Sequence, residues 1–306
     1  MQALFIGQAY IDITFLADSL PTGDDKAVAR DYAVSFGGNA VTAAFCCAKL
    51  GLAPDLLAPV ADDWLGRMFI DMAAKYGISV HHRKVAGSSL SFVMPRGSQR
   101  AIVRCRDDRY KHPYPPLHLA GCRALHVDGH QPDAAIHYAR TCREAGILTS
   151  LDGGGVRSNT HELLEFIDVA VVAERLCEQM RLSPGEMLQY LRSRGCGVGA
   201  VTMGGRGLIY YQGSSDDRLM PALDVPGERI IDTNGAGDIF HGAYMYSALT
   251  NPHGTWDGYF QFARAASAHA IQYLGNEASL PSLADINATH ARFEERRGAA
   301  ALMPVE

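Results

Sequence analysis

Asp232-Thr233-Asn234-Gly235-Ala236-Gly237-Asp238-Ile239-Phe240-His241-Gly242 sets three small residues between two carboxylates and then runs into an apolar stretch that reads as a helix to about residue 249. A small-residue turn opening a helix leaves N–H groups without partners and points the positive end of the helix dipole outward. Such a turn holds anions, phosphate above all. Asp238 at the same place would repel a bound anion. It makes sense as a base that takes a proton from a hydroxyl while the N–H groups of Gly235, Ala236 and Gly237 hold the charge developing on a phosphoryl group. The plainer alternative is an ordinary helix start with Asp238 as a favourable first-turn acid.

Outward from this turn, short apolar runs alternate with amphipathic stretches. Strands are expected at residues 3–7, 55–60, 123–127, 147–151, 169–172 and 199–202, with a hairpin over 207–211 and 218–223. Helices are expected at 39–50, 65–76, 133–145, 159–166, 184–193, after Asp238 and at 256–274. The alternation predicts an α/β fold, a doubly wound and mainly parallel sheet flanked by helices. Two β-patterned pieces, about 13–36 and 88–106, interrupt it; in the second, a hairpin turn is expected at Pro95-Arg96-Gly97. With no linker or repeat, residues 1–306 read as one domain. Ligands of open α/β sheets lie at the C-terminal strand ends. That edge collects Asp12, Asp128, His130, Asp152 and Gly204 around the signature turn.

The stretch Asp232–Asp238 resembles the C-terminal signature of the ribokinase-like (PfkB) carbohydrate kinases. A second stretch, Phe36-Gly37-Gly38-Asn39-Ala40-Val41-Thr42-Ala43-Ala44, is similar to their N-terminal signature. The resemblance implies a ribokinase-like fold with a small β-sheet lid, ATP and Mg²⁺ as cofactors, and a homodimer through the lid. It implies Asp238 as general base beside an anion hole at Gly235, Ala236 and Gly237. Substrate contacts are implied at Asp12, Gly37, Gly38, Asn39 and Thr42, with His130 lining the acceptor side. Thr202, Gly204, Gly207, Asn234, Gly275, Asn276 and Arg157 are implied on the nucleotide side. Asp232 is implied beside a monovalent cation such as K⁺. Glu174 stands where the family places a carboxylate that organises Mg²⁺ through water. Leu20-Pro21-Thr22-Gly23 through Lys26, and the pattern Gly237-Asp238-x-Phe240-His241-Gly242, look most like the sulfofructose-kinase branch. That branch implies an acidic or phosphorylated ketose-like acceptor met by Lys26 and Arg104. A nucleoside kinase of the same fold and a non-catalytic sugar-binding regulator remain alternatives.

A chain of 306 residues with 47% apolar residues supports a sizeable core. A net charge of −5 gives no basic footprint for nucleic acid or an anionic membrane. Seven scattered cysteines, with no Cys-x-x-Cys pair, fit a reduced protein rather than a disulfide scaffold. No apolar run of membrane-spanning length appears, which predicts a soluble cytoplasmic protein. No Gly-Lys dipeptide exists, so a P-loop is excluded; Gly-x-Ser-x-Gly and a dinucleotide-binding Gly-x-Gly-x-x-Gly after the first strand are also absent. His126-x-Asp128-x-His130 puts three potential ligands on one strand face, with substrate lining favoured over a metal site.

Overall fold

The structure, a computed structural model, describes residues 1–19, 22–96 and 99–297. Leu20, Pro21 and Gly97, which belong to motifs quoted above, lie outside them. Nine strands form one sheet in the order β13-β12-β11-β10-β9-β8-β1-β4-β5. They are β1 (Ala3–Ile6), β4 (Pro54–Val60), β5 (Ser79–Lys84), β8 (Ala124–Val127), β9 (Leu148–Gly153), β10 (Val169–Ala173), β11 (Val198–Thr202), β12 (Leu208–Gln212) and β13 (Arg218–Met220). Pairing is parallel from β5 to β11 and antiparallel at β11–β12 and β12–β13.

The central strands are buried on both faces, as near-continuous apolar runs require. Strand alternation sorts them: Ala3 and Phe5 join one apolar cluster, Leu4 and Ile6 the other. Helices α1 (Asn39–Lys49), α2 (Trp64–Lys75), α7 (Ala236–Thr250), α8 (Trp256–Ala270) and α9 (Leu283–Arg292) cover the first face. Helices α3 (Pro132–Glu144), α4 (Thr160–Leu163), α5 (Glu174–Met180) and α6 (Pro184–Ser193) cover the second.

The two interrupting pieces build a separate four-stranded sheet, β3-β2-β6-β7, from β2 (Tyr10–Leu16), β3 (Asp31–Gly37), β6 (Leu90–Arg96) and β7 (Gln99–Cys105). Four elements differ from the sequence expectation, one of them helix α9, which lies beyond the last expected helix. The edge strand β5 was not anticipated, because its Ser-Val-His-His-Arg-Lys composition lacks an apolar run. Residues 174–180 form a helix that was not anticipated. The helix expected over 256–274 ends at Ala270, since the chain turns before Gly275, whose φ is +77°.

Candidate active site

The signature turn folds as its small residues dictate. Gly235 adopts φ +73°, and a Cβ there would stand 2.3 Å from Asn276 Oδ1, so no other residue fits without displacement. Helix α7 starts at Ala236, its first internal bond running from Ile239 N–H to the Gly235 carbonyl. Among the described residues no acceptor stands against the N–H groups of Ala236, Gly237 and Asp238, and no side chain caps them. Ala236 and Gly237 line a cavity of about 540 Å³, together with Thr202, Gly204, Gly207 and Glu174. The Asp238 carboxylate is half-buried and forms no hydrogen bond or ion pair among the described residues. Burial holds it above the usual carboxylate range; the negative charge of Asp152 acts in the same direction, opposed by Arg100 and Arg104.

On the far side of Asp238, the lid sheet brings a row of residues into register. Ser35, Asp12, Ser91 and Arg104 are consecutive partners across β3, β2, β6 and β7. Side chains in register point to one face, so Asp12 and Arg104 share it. Asp12 is buried, and its Oδ2 accepts from Asn234 Nδ2 at 3.1 Å and Asn276 Nδ2 at 3.2 Å. Among the described residues its Oδ1 has no partner, nor does the buried Thr42 Oγ1. Unpaired buried polar atoms need an occupant, and a polyol supplies hydroxyls for both. Burial raises the Asp12 carboxyl above its ordinary value, against hydrogen bonds and the Arg104 charge.

Several residues lie elsewhere than expected. Asn234 and Asn276, implied on the nucleotide side, grip Asp12 instead. Asn276 also donates to the Phe36 carbonyl at 2.8 Å. Arg157 stands beside Asp128, its Nε donating to that residue's carbonyl at 2.8 Å. Asp232 accepts from Asn234 N–H at 2.8 Å and Gly275 N–H at 3.1 Å, tying the signature turn to the 275–276 loop. Glu174 pairs with Arg206 beside the cavity. Gly37 and Gly38 permit close approach: a Cβ would lie 2.3 Å from Asp12 and 1.9 Å from the Gln8 carbonyl, respectively. Lys26 is exposed in the stretch between β2 and β3.

The run His126-x-Asp128-x-His130 divides. His130 bonds to Asp128 Oδ1 through both its N–H and its Nδ1, each at 3.0 Å. Asp128 Oδ2 takes the N–H groups of Gln8 and Ala40; against burial, His130 and then the Arg157 charge hold the Asp128 carboxyl well below the usual range. His126 turns the other way, toward Asp152 and His241, all three buried with potential ligand atoms within 4.8 Å of one another. Asn39 joins this group by donating to Asp152 Oδ2 at 3.2 Å. Sequence reasoning passed over His241 and Tyr244; their only signal was spacing by three residues along α7 from Asp238.

The fold recurs in known proteins. The model of the pfkB family carbohydrate kinase matches residues 2–283. The chain belongs to that family. A ribokinase of Lactococcus lactis is 28% identical over 165 residues, a match spanning 54% of this chain and about half, 52%, of the relative. A nucleoside kinase of Methanothermobacter thermautotrophicus is 22% identical over 91% of this chain and 92% of its own. An Escherichia coli protein assigned as ribokinase II, solved with ATP and Mg²⁺, superposes with a TM-score of 0.80 over 95% of this chain and 99% of that one, at 18% identity. The pfkB enzyme is therefore a sugar or nucleoside kinase with the ribokinase fold. No helix among its described residues is long and apolar enough to cross a membrane.

Proposed function

We propose that this chain transfers the γ-phosphoryl group of ATP to a hydroxyl of a small acidic sugar. The observation that carries this reading is the pairing of unbonded N–H groups at residues 236–238 with the unbonded Asp238 carboxylate. ATP would occupy the 540 Å³ cavity, with its phosphates against Ala236 and Gly237. The acceptor hydroxyl would lie between Asp12 and Asp238. Asp238 takes the hydroxyl proton as the oxygen bonds to the γ-phosphorus, the bond to the β,γ-bridging oxygen breaks, and ADP leaves. The N–H groups hold the charge on the transferring group; each such donor is typically worth about 2.7–4 kcal/mol. The whole chain acts as one kinase unit, in which segments 13–36 and 88–106 serve as a lid that excludes water.

The donor set suits Mg²⁺, which commonly binds substrate phosphates, waters and one or two carboxylates. Glu174 is the carboxylate lining the cavity and would hold it, neutralising phosphate charge.

An acidic acceptor is supported by arginines that lack carboxylate partners among the described residues: Arg100, Arg104 and Arg157. Arg104 lies over Tyr10, 5.3 Å from its ring, on the Asp12 face, and Arg100 reaches Thr233 Oγ1 at 3.2 Å. A guanidinium free on that face suits a carboxylate, sulfonate or phosphate. Lys26 would add to it as the lid closes. The opposite lid face carries an apolar row, Val34-Ile13-Phe92-Val103, beside exposed Tyr32. That row supports pairing with a second copy through the lid, which light scattering tests.

Asp238→Asn tests the mechanism: kcat should fall by roughly 10²–10⁴ with fold and ATP binding kept. Near-normal turnover would remove Asp238 from the chemistry. ADP release measured with neutral sugars, sugar acids, sugar phosphates and adenosine tests the acceptor. Equal turnover of neutral and acidic sugars ends the acidic reading; preference for adenosine selects the nucleoside kinase; melting shifts without ADP release select a binding protein.

A further inference from the structure

Arg100 belongs to the lid sheet, yet its side chain ends in the cavity proposed for ATP. It stands on β7, the edge strand of that sheet, opposite Pro95 of β6. Strand alternation puts Arg100, Ile102 and Arg104 on one face, the face of Asp12. Four residues separate the two arginines, about 13 Å along a strand. Arg104 is in register with Asp12 through Ser91, whereas Arg100 lines the cavity together with Thr233, Ala236 and Gly237. Neither Arg104 nor Arg157 lines that cavity.

The guanidinium touches the body of the protein at one point. Its Nη1 donates to Thr233 Oγ1 at 3.2 Å, and among the described residues it makes no ion pair and no other side-chain hydrogen bond. Thr233 lies three residues before Ala236, whose N–H is one of the unbonded donors at the start of α7. An arginine carries five N–H donors in a planar fork that matches phosphate oxygens two at a time. Most of these donors are unused here, in a cavity whose body wall already offers backbone N–H groups. Two donor sets facing one space suit a group that is anionic and rich in acceptors. A triphosphate is such a group; a sugar hydroxyl is not.

We propose that Arg100 is a catalytic residue of this kinase: the lid carries its guanidinium, held by Thr233, to the non-bridging oxygens of the γ-phosphoryl group during transfer. The inference rests on the reading of the cavity as the ATP site. In phosphoryl transfer the charge spreads over the three equatorial oxygens of the moving group, and catalysis is mainly positioning and electrostatic stabilisation. The N–H groups at 236–238 come from the body and the guanidinium from the lid, so the group is held from both only when the two sheets meet. Arg100 keeps its protons throughout; the acceptor's proton goes to Asp238. The lid also carries Asp12, so an acceptor bound there fixes the sheet on which Arg100 stands. The cation therefore reaches ATP best when an acceptor is in place, which favours transfer to the sugar over transfer to water.

Arg100 is exposed, so its variants should fold as the unaltered enzyme does. Arg100→Ala should lower kcat by roughly 10²–10³ with acidic and neutral acceptors alike. ADP affinity, read by calorimetry, should not change, because ADP lacks the group that Arg100 holds. The loss should persist on the alkaline plateau of the pH profile, where Asp238 is ionised. Arg100→Lys should regain part of the rate, since it restores the charge without the fork. Thr233→Val removes only the anchor and should cost less than Arg100→Ala. Losses confined to acidic acceptors would assign Arg100 to the acceptor's anion. Losses in the sugar KM alone, or equal losses in Arg100→Ala and Thr233→Val, would make it a strut between lid and body. A loss that vanishes at alkaline pH would make it an influence on Asp238. Each of these results, like normal turnover, overturns the proposal. Hydrogen exchange with ADP separates it from the reading beneath it, because ADP should protect residues 202–208 and 233–237. Absence of that protection ends the placement of ATP and this inference with it; protection together with normal turnover in Arg100→Ala ends this inference alone.

Discussion

Around Asp12 the glycines mark places where protein approaches protein, whereas across the α7 start Gly204 and Gly237 face open space. A Cβ on Gly37 would meet the Asp12 carboxylate at 2.3 Å, and one on Gly235 would meet Asn276 at the same distance. A Cβ on Gly204 or Gly237 meets nothing within 4 Å. The proposed acceptor side is thus assembled by side chains that fix one another: Asn234 and Asn276 aim Asp12, Ser35 holds the Asn276 N–H at 3.2 Å, and the lid register aligns Arg104. On the proposed nucleotide side Gly204 and Gly237 leave room, whereas a Cβ on Gly207 would meet the Met220 carbonyl at 2.0 Å. Selectivity among acceptors should therefore live in named side chains, and nucleotide binding in loop shape.

The harshest way to break this comparison is Asp12→Ala. A charged group that accepts hydroxyls contributes about 1.5–3 kcal/mol per bond, so losing two should lower kcat/KM for the sugar by about 10²–10⁴. ATP binding measured alone by calorimetry should be unchanged. A parallel loss of ATP affinity would mean that the two sides are one unit. Next in size is Gly37→Ala, where the added methyl displaces the Asp12 carboxylate; overpacking of this kind costs about 1–3 kcal/mol. It should appear in the sugar KM, at constant KM for ATP. Gly204→Ala sharpens the other half. Its φ of +58° disfavours a side chain by about 1–2 kcal/mol, but there is space for it. The expected result is a slightly less stable enzyme whose ATP KM changes by no more than about threefold.

The same contrast explains what could be read from the chain beforehand. The signature turn declared itself because a left-handed glycine and two more small residues before an apolar helix have few other uses. The central strands declared themselves because strands buried on both faces must be apolar throughout. The edge strand β5 escaped for the opposite reason: Arg83 on it is buried through an ion pair with Asp133 at 2.6 Å, so burial there is not written in apolar residues. Asn234 and Arg157 were expected on the nucleotide side, and their contacts with Asp12 and Asp128 could not be read beforehand, since those depend on how the 232–238 and 152–157 loops fold back. His241 stayed silent because its partners, Asp152, Tyr244, Ser150 and His126, come from a helix and two strands. No spacing in one segment encodes that meeting.

The last effect concerns stability and again divides the two sides. Asp152 and Asp12 are buried carboxyls whose native proton affinity is raised mainly by burial. Among the described residues no such group lines the proposed nucleotide cavity, where Glu174 pairs with Arg206. The sign follows from linkage. A carboxyl whose native pKa lies above its unfolded value, near 3.9, binds more protons folded than unfolded. Stability from that group is unaffected below the unfolded value, falls as pH rises toward the native value, and is constant beyond it. The ligand-free enzyme should therefore melt progressively lower from pH 5 to pH 9. Asp152→Asn removes one desolvated charge while keeping an oxygen for Asn39 and His241. It should flatten that fall by on the order of 2 kcal/mol, a gap of about 4 °C at pH 9 that closes toward pH 5. Glu174→Gln, on the nucleotide side, should leave the slope unchanged. A gap of equal size at both pH values would show that Asp152→Asn acts by packing, and parallel slopes in all three proteins would show that the acceptor side carries no charge strain.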